Sequence, residues 1–169
     1  MNNYNGKGRP YGGVGWIVSK KLEKRYSVKL HTKRITSLEI GNLTLIGVYL
    51  TANNSKNESM IEHIIDIKDL ETLIDELKRK NKEYIIVGDF NSDPIRNKKF
   101  DRELISLLSK RNLKCIEKEF DNFEYTYSND QHKSFIDHIV TTIETSNRVL
   151  NVTIVRPDPL NQSDHLPLK

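Results

Sequence analysis

The spacing of apolar and polar positions divides the chain into a series of short elements. Residues 35–40 and 43–50 are rich in β-branched side chains and flank Gly41-Asn42, a pair suited to a tight primed turn, so the pattern predicts a hairpin. Behind Ser59 and Glu62, a capping-box pair, Ile61, Ile64, Ile67, Leu70, Ile74 and Leu77 recur every three or four residues. They predict an amphipathic helix over about residues 60–80. The run Tyr84-Ile85-Ile86-Val87 reads as a strand buried on both faces, ending abruptly in Gly88-Asp89-Phe90-Asn91. Leu104, Leu107 and Leu108 mark a second helix over about 98–110. Short strands are expected at 26–30, 113–116, 125–127, 135–141 and 152–155. Residues 1–12 read as loop. Gly12-Gly13-Val14-Gly15-Trp16-Ile17-Val18 reads as glycines passing into a strand, with no helix pattern after them and hence no dinucleotide fingerprint. Strands and helices alternating, with hairpins among them, predict the α/β class (α+β type): a sandwich of mixed β-sheets with helices outside.

Composition narrows the setting. A chain of 169 residues that is 36% apolar and 30% charged suits one folded domain with a substantial core. The net charge of +4 is mild, but the first thirty-four residues carry nine Lys/Arg against one acid, Glu23. The cluster Lys20, Lys21, Lys24, Arg25, Lys29, Lys33 and Arg34 favours a polyanionic partner. Cys115 is the only cysteine, so no internal disulfide forms and a reducing, intracellular setting, nuclear or cytoplasmic, is expected. No apolar run approaches membrane-spanning length, and the first residues lack the apolar stretch of a secretory signal, so neither a membrane partner nor secretion is expected.

Candidate chemistry sits at two places. Asp89 and Asn91 stand at the carboxyl end of a strand, where loops on a rigid scaffold present polar groups to ligands. Ser134-Phe135-Ile136-Asp137-His138-Ile139 places an aspartate inside an apolar strand, where an unpaired charge is costly and a partner is required. Ser163-Asp164-His165-Leu166-Pro167 supplies one. A buried Asp that accepts from an imidazole fixes its tautomer and favours its cation, an arrangement used where His handles protons or phosphate charge.

Gly88-Asp89-Phe90-Asn91, Ser134-Phe135-Ile136-Asp137-His138-Ile139 and Ser163-Asp164-His165-Leu166-Pro167-Leu168 resemble, in order, three motifs of the endonuclease/exonuclease/phosphatase (DNase I-like) superfamily. Gly12-Gly13-Val14-Gly15 and Val48-Tyr49 with Asn53 resemble its earlier segments. Glu124-Tyr125-Thr126-Tyr127 and the Ser-Asp-His-Leu-Pro wording are most similar to the endonuclease domains of non-LTR retrotransposons. The resemblance implies a four-layer sandwich of two mixed sheets and a Mg²⁺- or Mn²⁺-dependent hydrolase, most similar to a DNA endonuclease. Inositol-phosphate or lipid phosphoesterases share the same motifs. It implies that Asp89 orients or deprotonates the attacking water, that Asn91 holds the phosphate or the nucleophile, and that His165, oriented by Asp137, stabilises developing charge. Tyr49 would reach the phosphate and Asp164 would bind metal. Asn53, Ser134, Ser163 and, more weakly, Thr126 would contact substrate. The partners implied are DNA and a reverse transcriptase domain in the same polyprotein. Departures accompany the likeness: the superfamily's asparagine-bearing first strand and its Gln-Glu metal motif have no counterpart before Gly12. The expectation is therefore a partial domain over 1–169, lacking the first and closing strands, with a truncated non-catalytic relic as the rival.

Overall fold

The computed structural model describes residues 13–23, 25–120, 124–129, 131–161 and 163–169. After a 3-10 turn at Lys20–Leu22 come strands β1 (Ser27–Leu30), β2 (Ile35–Ile40) and β3 (Leu43–Tyr49), helix α1 (Asn57–Arg79) and strand β4 (Glu83–Asp89). Helix α2 (Lys99–Arg111), strand β5 (Leu113–Cys115), the short helix α3 (Glu117–Phe120) and strands β6 (Tyr127–Ser128), β7 (Lys133–Ser134) and β8 (Asp137–Thr142) follow, then helix α4 (Ile143–Ser146). Six strands form one sheet in the order β1-β2-β3-β4-β8-β5. Only β3 and β4 run parallel, which requires a crossover, and α1 supplies it. β6 and β7 make a separate antiparallel pair. The α/β class and a mixed sheet beside a second sheet are thus observed.

The hairpin forms as its sequence predicts, β2 pairing with β3 and Gly41 taking φ +59° at the turn. β4 buries Tyr84 and Ile86 against α1 and α2, where Leu70, Ile74 and Leu104 are fully enclosed. Its alternate residues, Ile85 and Val87, are half-buried on the opposite face, so this strand is covered fully on one side only. Phe135, Ile154 and Leu166 form a smaller core beneath the β6–β7 pair.

Three expectations need correction. α1 begins at Asn57, before Ser59; the Ser59 hydroxyl donates to the Lys56 carbonyl inside the first turn, and no capping box forms. Residues 13–19 form no strand; Val14 and Trp16 instead lie over Gly47 of β3. Around Val152–Val155 only a single bridge forms, between Ile154 and Leu168. Gly12 and Lys24 lie outside the described residues.

Candidate active site

The site starts from strand register. Tyr49, Asp89 and Asp137 lie side by side across β3, β4 and β8, Tyr49 paired with Asp89 and Asp89 with Asp137. One end of the sheet therefore presents a phenol and two carboxylates in a row. β4 can approach β3 this closely because residue 88 is glycine: it has φ +137°, and a Cβ there would stand 2.1 Å from the Val48 carbonyl oxygen. No L side chain tolerates that combination. The next residues turn outward. Asn91 takes φ +50°, a left-handed conformation that asparagine tolerates, and its N–H donates to Asp89 Oδ1 at 2.8 Å. Its side-chain Nδ2 donates to the Leu50 carbonyl at 2.9 Å, which leaves Oδ1 free to accept from a water or ligand.

His165 arrives from the far end of the sequence. Its Nδ1 donates to Asp137 Oδ2 at 2.9 Å, so the half-buried aspartate of this apolar strand has an imidazole partner. The ring lies 5.0 Å from that of Tyr127, with which His165 also makes a β-bridge. Asp137 is held in turn by Thr126, whose hydroxyl accepts from the Ile136 and Asp137 N–H groups at 3.1 and 3.0 Å. Thr126 is fully buried and is not among the residues that line the cleft. It positions Asp137 from beneath.

Tyr49, Asn53, Asp89, Asn91, Ser134, Asp164 and His165 line one cleft of about 650 Å³. Arg34 sits 5.6 Å from the Tyr49 ring and donates to the Tyr49 carbonyl. Asn53 Oδ1 accepts from the Ser55 N–H and turns the loop that carries it. Ser134 accepts from Arg96 at 3.1 Å. Ser163 lies outside the cleft lining: its hydroxyl accepts from the His165 N–H, and it lines an adjoining groove, shared with Asp137 and His165, beside Val87, Leu166 and Leu168.

Sequence reasoning missed the cleft's basic rim of Arg96, Lys98, His132 and Lys133. Arg96 is fixed by two hydrogen bonds to Asp101, at 2.7 and 3.1 Å, and the spacing Asp93, Arg96, Asp101 was the available signal. It also missed two buried histidines that pin the loop after β4. His63 of α1 is 3.3 Å from the Ser92 hydroxyl, and its Nδ1 is 3.0 Å from the Thr51 carbonyl. His138 of β8 donates through Nε2 to the Ser92 carbonyl at 2.9 Å.

Electrostatics separate the two carboxylates of the row. Burial, and then the neighbouring Asp137, push Asp89 up from 3.8 to about 6, against the opposing pull of the Asn91 N–H and His165. The hydrogen bond to Asp137, aided by charge attraction, raises His165 above its ordinary value despite partial burial. Oxygen ligands predominate in the cleft, and Asp89 bears negative charge that nothing nearby fully neutralises; both suit a hard divalent cation. Ligand atoms of Asp89, Asp137 and His165 lie within 4.8 Å of one another, and Asp164 and Asn91 line the same cleft, so these are the groups that would hold such an ion. Among the described residues no glutamate lines this cleft. Glu39, an acid preceding α1, is bonded to Lys82 and pairs with Thr44, five positions along β3 from Tyr49. At about 3.3 Å per residue that is about 16 Å away.

Residues 43–169 match the family profile described as endonuclease-reverse transcriptase. The chain belongs to that family. Through it the chain joins the DNase I-like endonuclease/exonuclease/phosphatase superfamily of phosphodiester hydrolases. Its fold is similar to that of a Neisseria 3′ phosphatase, NExo, bound to a product DNA hairpin (15% identity, TM-score 0.62, 94% of this chain and 68% of that one). It is similar to an AP endonuclease from Archaeoglobus fulgidus (16%, 0.59, 80% and 63%) and to the Xenopus laevis APE2 catalytic domain (18%, 0.62, 88% and 56%). This endonuclease-reverse transcriptase family member thus spans about three-fifths of the length of such structures. No curated protein sequence matches it significantly.

Proposed function

We propose that the protein is a divalent-metal-assisted DNA endonuclease of retrotransposon type, working beside a reverse transcriptase domain. The observation that carries this reading is the convergence of Asp89, Asn91 and the His165–Asp137 pair on one cleft. Asp89, at about 6, is matched to taking a proton from water near neutral pH. The Asn91 Oδ1 orients that water. His165, whose cation the hydrogen bond to Asp137 favours, faces the phosphoryl oxygens as negative charge builds on them, and the Tyr49 hydroxyl adds a donor. A Mg²⁺ or Mn²⁺ ion at Asp164 would supply further positive charge to the phosphate.

Support for a polymeric substrate comes from the basic rim and from exposed Lys20, Lys21, Arg25, Lys29 and Lys33. Arg34 contributes less than its sequence position implied, because Asp66 lies 3.5 Å from its guanidinium and Tyr49 engages its other face. The deciding experiment is nicking of supercoiled plasmid with Mg²⁺. Asp89→Ala, Asp137→Asn and His165→Ala should each remove most of the activity, and double variants should lose little more. Undiminished nicking by His165→Ala would overturn the assignment. Hydrolysis of inositol phosphates with no attack on DNA would transfer the same chemistry to a small substrate.

A further inference from the structure

A second cluster of ligand-type side chains lies outside the cleft, between β5, α3 and β8. Cys115 pairs with Val140 across β5 and β8, and the side chains of Glu117 and His138, each two residues removed from that pair, return to the same side. A sulfur, a carboxylate oxygen and an imidazole nitrogen come within 4.8 Å of one another. Glu117 and His138 are fully buried, and Cys115 is half-buried, which leaves an approach from its side. The surroundings are dry: the rings of Phe90 and Phe135 both lie 5.6 Å from the His138 ring.

The hydrogen bonds fix the chemistry. His138 Nε2 faces the Ser92 carbonyl at 2.9 Å, so that nitrogen carries a proton. With no ion bound, Nδ1 also carries a proton, which it donates to Glu117 Oε1 at 2.7 Å, while Glu117 Oε2 accepts from the Ile139 N–H. The nitrogen and the carboxylate, with the cysteine sulfur beside them, converge on one point that must hold positive charge. The proton there is shared among the imidazole, Glu117 and Cys115, and an ion in its place would meet all three ligand atoms at once. An imidazole whose other N–H is held by a backbone carbonyl is the usual state of a metal-bound histidine, because that bond sets the tautomer and the ring orientation.

We propose that Cys115, Glu117 and His138 form a binding site for one zinc-class divalent ion, with the fourth position open on the Cys115 side. One S, one N and one O ligand suit Zn²⁺ in tetrahedral coordination, whereas a hard cation such as Mg²⁺ would avoid the sulfur. Bonds of about 2.0–2.3 Å place tetrahedral ligand atoms about 3.3–3.6 Å apart, so the glutamate and imidazole must separate by less than 1 Å and the sulfur must draw in. The ion would tie β5 and α3 to β8 and, through Ser92, to the loop that follows Asp89.

The test is titration of the reduced full chain with Co²⁺ while the near-ultraviolet absorption is followed. A thiolate-to-cobalt band reports this site alone, because Cys115 is the only thiol. The expected result is a band that saturates at one ion per chain, is bleached by Zn²⁺, persists in Asp89→Asn and vanishes in Cys115→Ser. Should Cys115→Ser fail to fold, Glu117→Gln keeps the thiol and is expected to weaken cobalt binding at least tenfold. No band in the native chain, an end point at one ion per two chains, or unchanged affinity in Glu117→Gln would each overturn the proposal and leave the cluster a buried His–Glu ion pair.

Discussion

Replacing Asp89 by Asn should make the protein more stable while it abolishes cleavage. Asp89 rises from 3.8 to about 6 on folding, chiefly through burial and secondly through Asp137. A carboxyl whose pKa is raised on folding binds its proton more tightly in the native state, so stability falls as pH rises from about 4 to 6. Above that window the native state bears the whole cost. A shift of about two units corresponds to about 3 kcal/mol. Asparagine carries no charge and keeps an oxygen to accept the 2.8 Å bond from the Asn91 N–H, so most of that cost should be recovered. At about 2–4 °C per kcal/mol for a chain of this size, Asp89→Asn should melt several degrees above the native protein at pH 7.5 in the presence of a chelator. Near pH 4 the two curves should coincide, since both side chains are then neutral. An Asp89→Asn protein no more stable at pH 7.5, or stabilised equally at both pH values, would refute the account of Asp89 as a strained base.

Thr126→Val leaves the N–H groups of Ile136 and Asp137 without their acceptor in a fully buried position, and thermal melting should show destabilisation by about 1–3 kcal/mol. Gly88→Ala drives a Cβ into the Val48 carbonyl at φ +137°, and circular dichroism should show failure to fold or a drop in melting temperature beyond that of Thr126→Val. Duplex DNA binding, measured by fluorescence anisotropy, should weaken steeply with salt. Replacing Lys20, Lys21, Lys29 and Lys33 with Gln should flatten the log-log slope by about 0.9 for every phosphate no longer neutralised.

What was legible in the sequence was what one dominant force decides. The β2–β3 hairpin follows from two β-rich runs around Gly41-Asn42, and α1 and α2 follow from their leucine and isoleucine spacing. The Asp137–His165 pairing was legible for a different reason: a carboxylate in an apolar strand must have a partner, and few were on offer. Residues 13–19 were misread because glycine next to aromatic and β-branched residues suits any extended segment, hydrogen-bonded into a sheet or not. The start of α1 was misplaced because Lys56 occupies the N-cap without a side-chain bond, and no sequence rule marks such a start. His63 and His138 were invisible because each has one nitrogen on a backbone carbonyl, which every residue type provides, and the other on a side chain more than twenty positions away.

The row of Tyr49, Asp89 and Asp137, completed by His165, joins positions more than a hundred residues apart. Tyr49 and Asp89 meet only where β3 pairs with β4, Asp89 and Asp137 only where β4 pairs with β8, and His165 sits beside Asp137 where its segment bridges Tyr127. Such non-local closures come late, because chain entropy must be surrendered before they return any stabilisation. The arrangement of these four side chains is therefore a property of the finished sheet. A ribosome-bound or half-folded copy would carry every one of these side chains and have no assembled site, so any cleavage of nearby nucleic acid would have to wait for folding to finish.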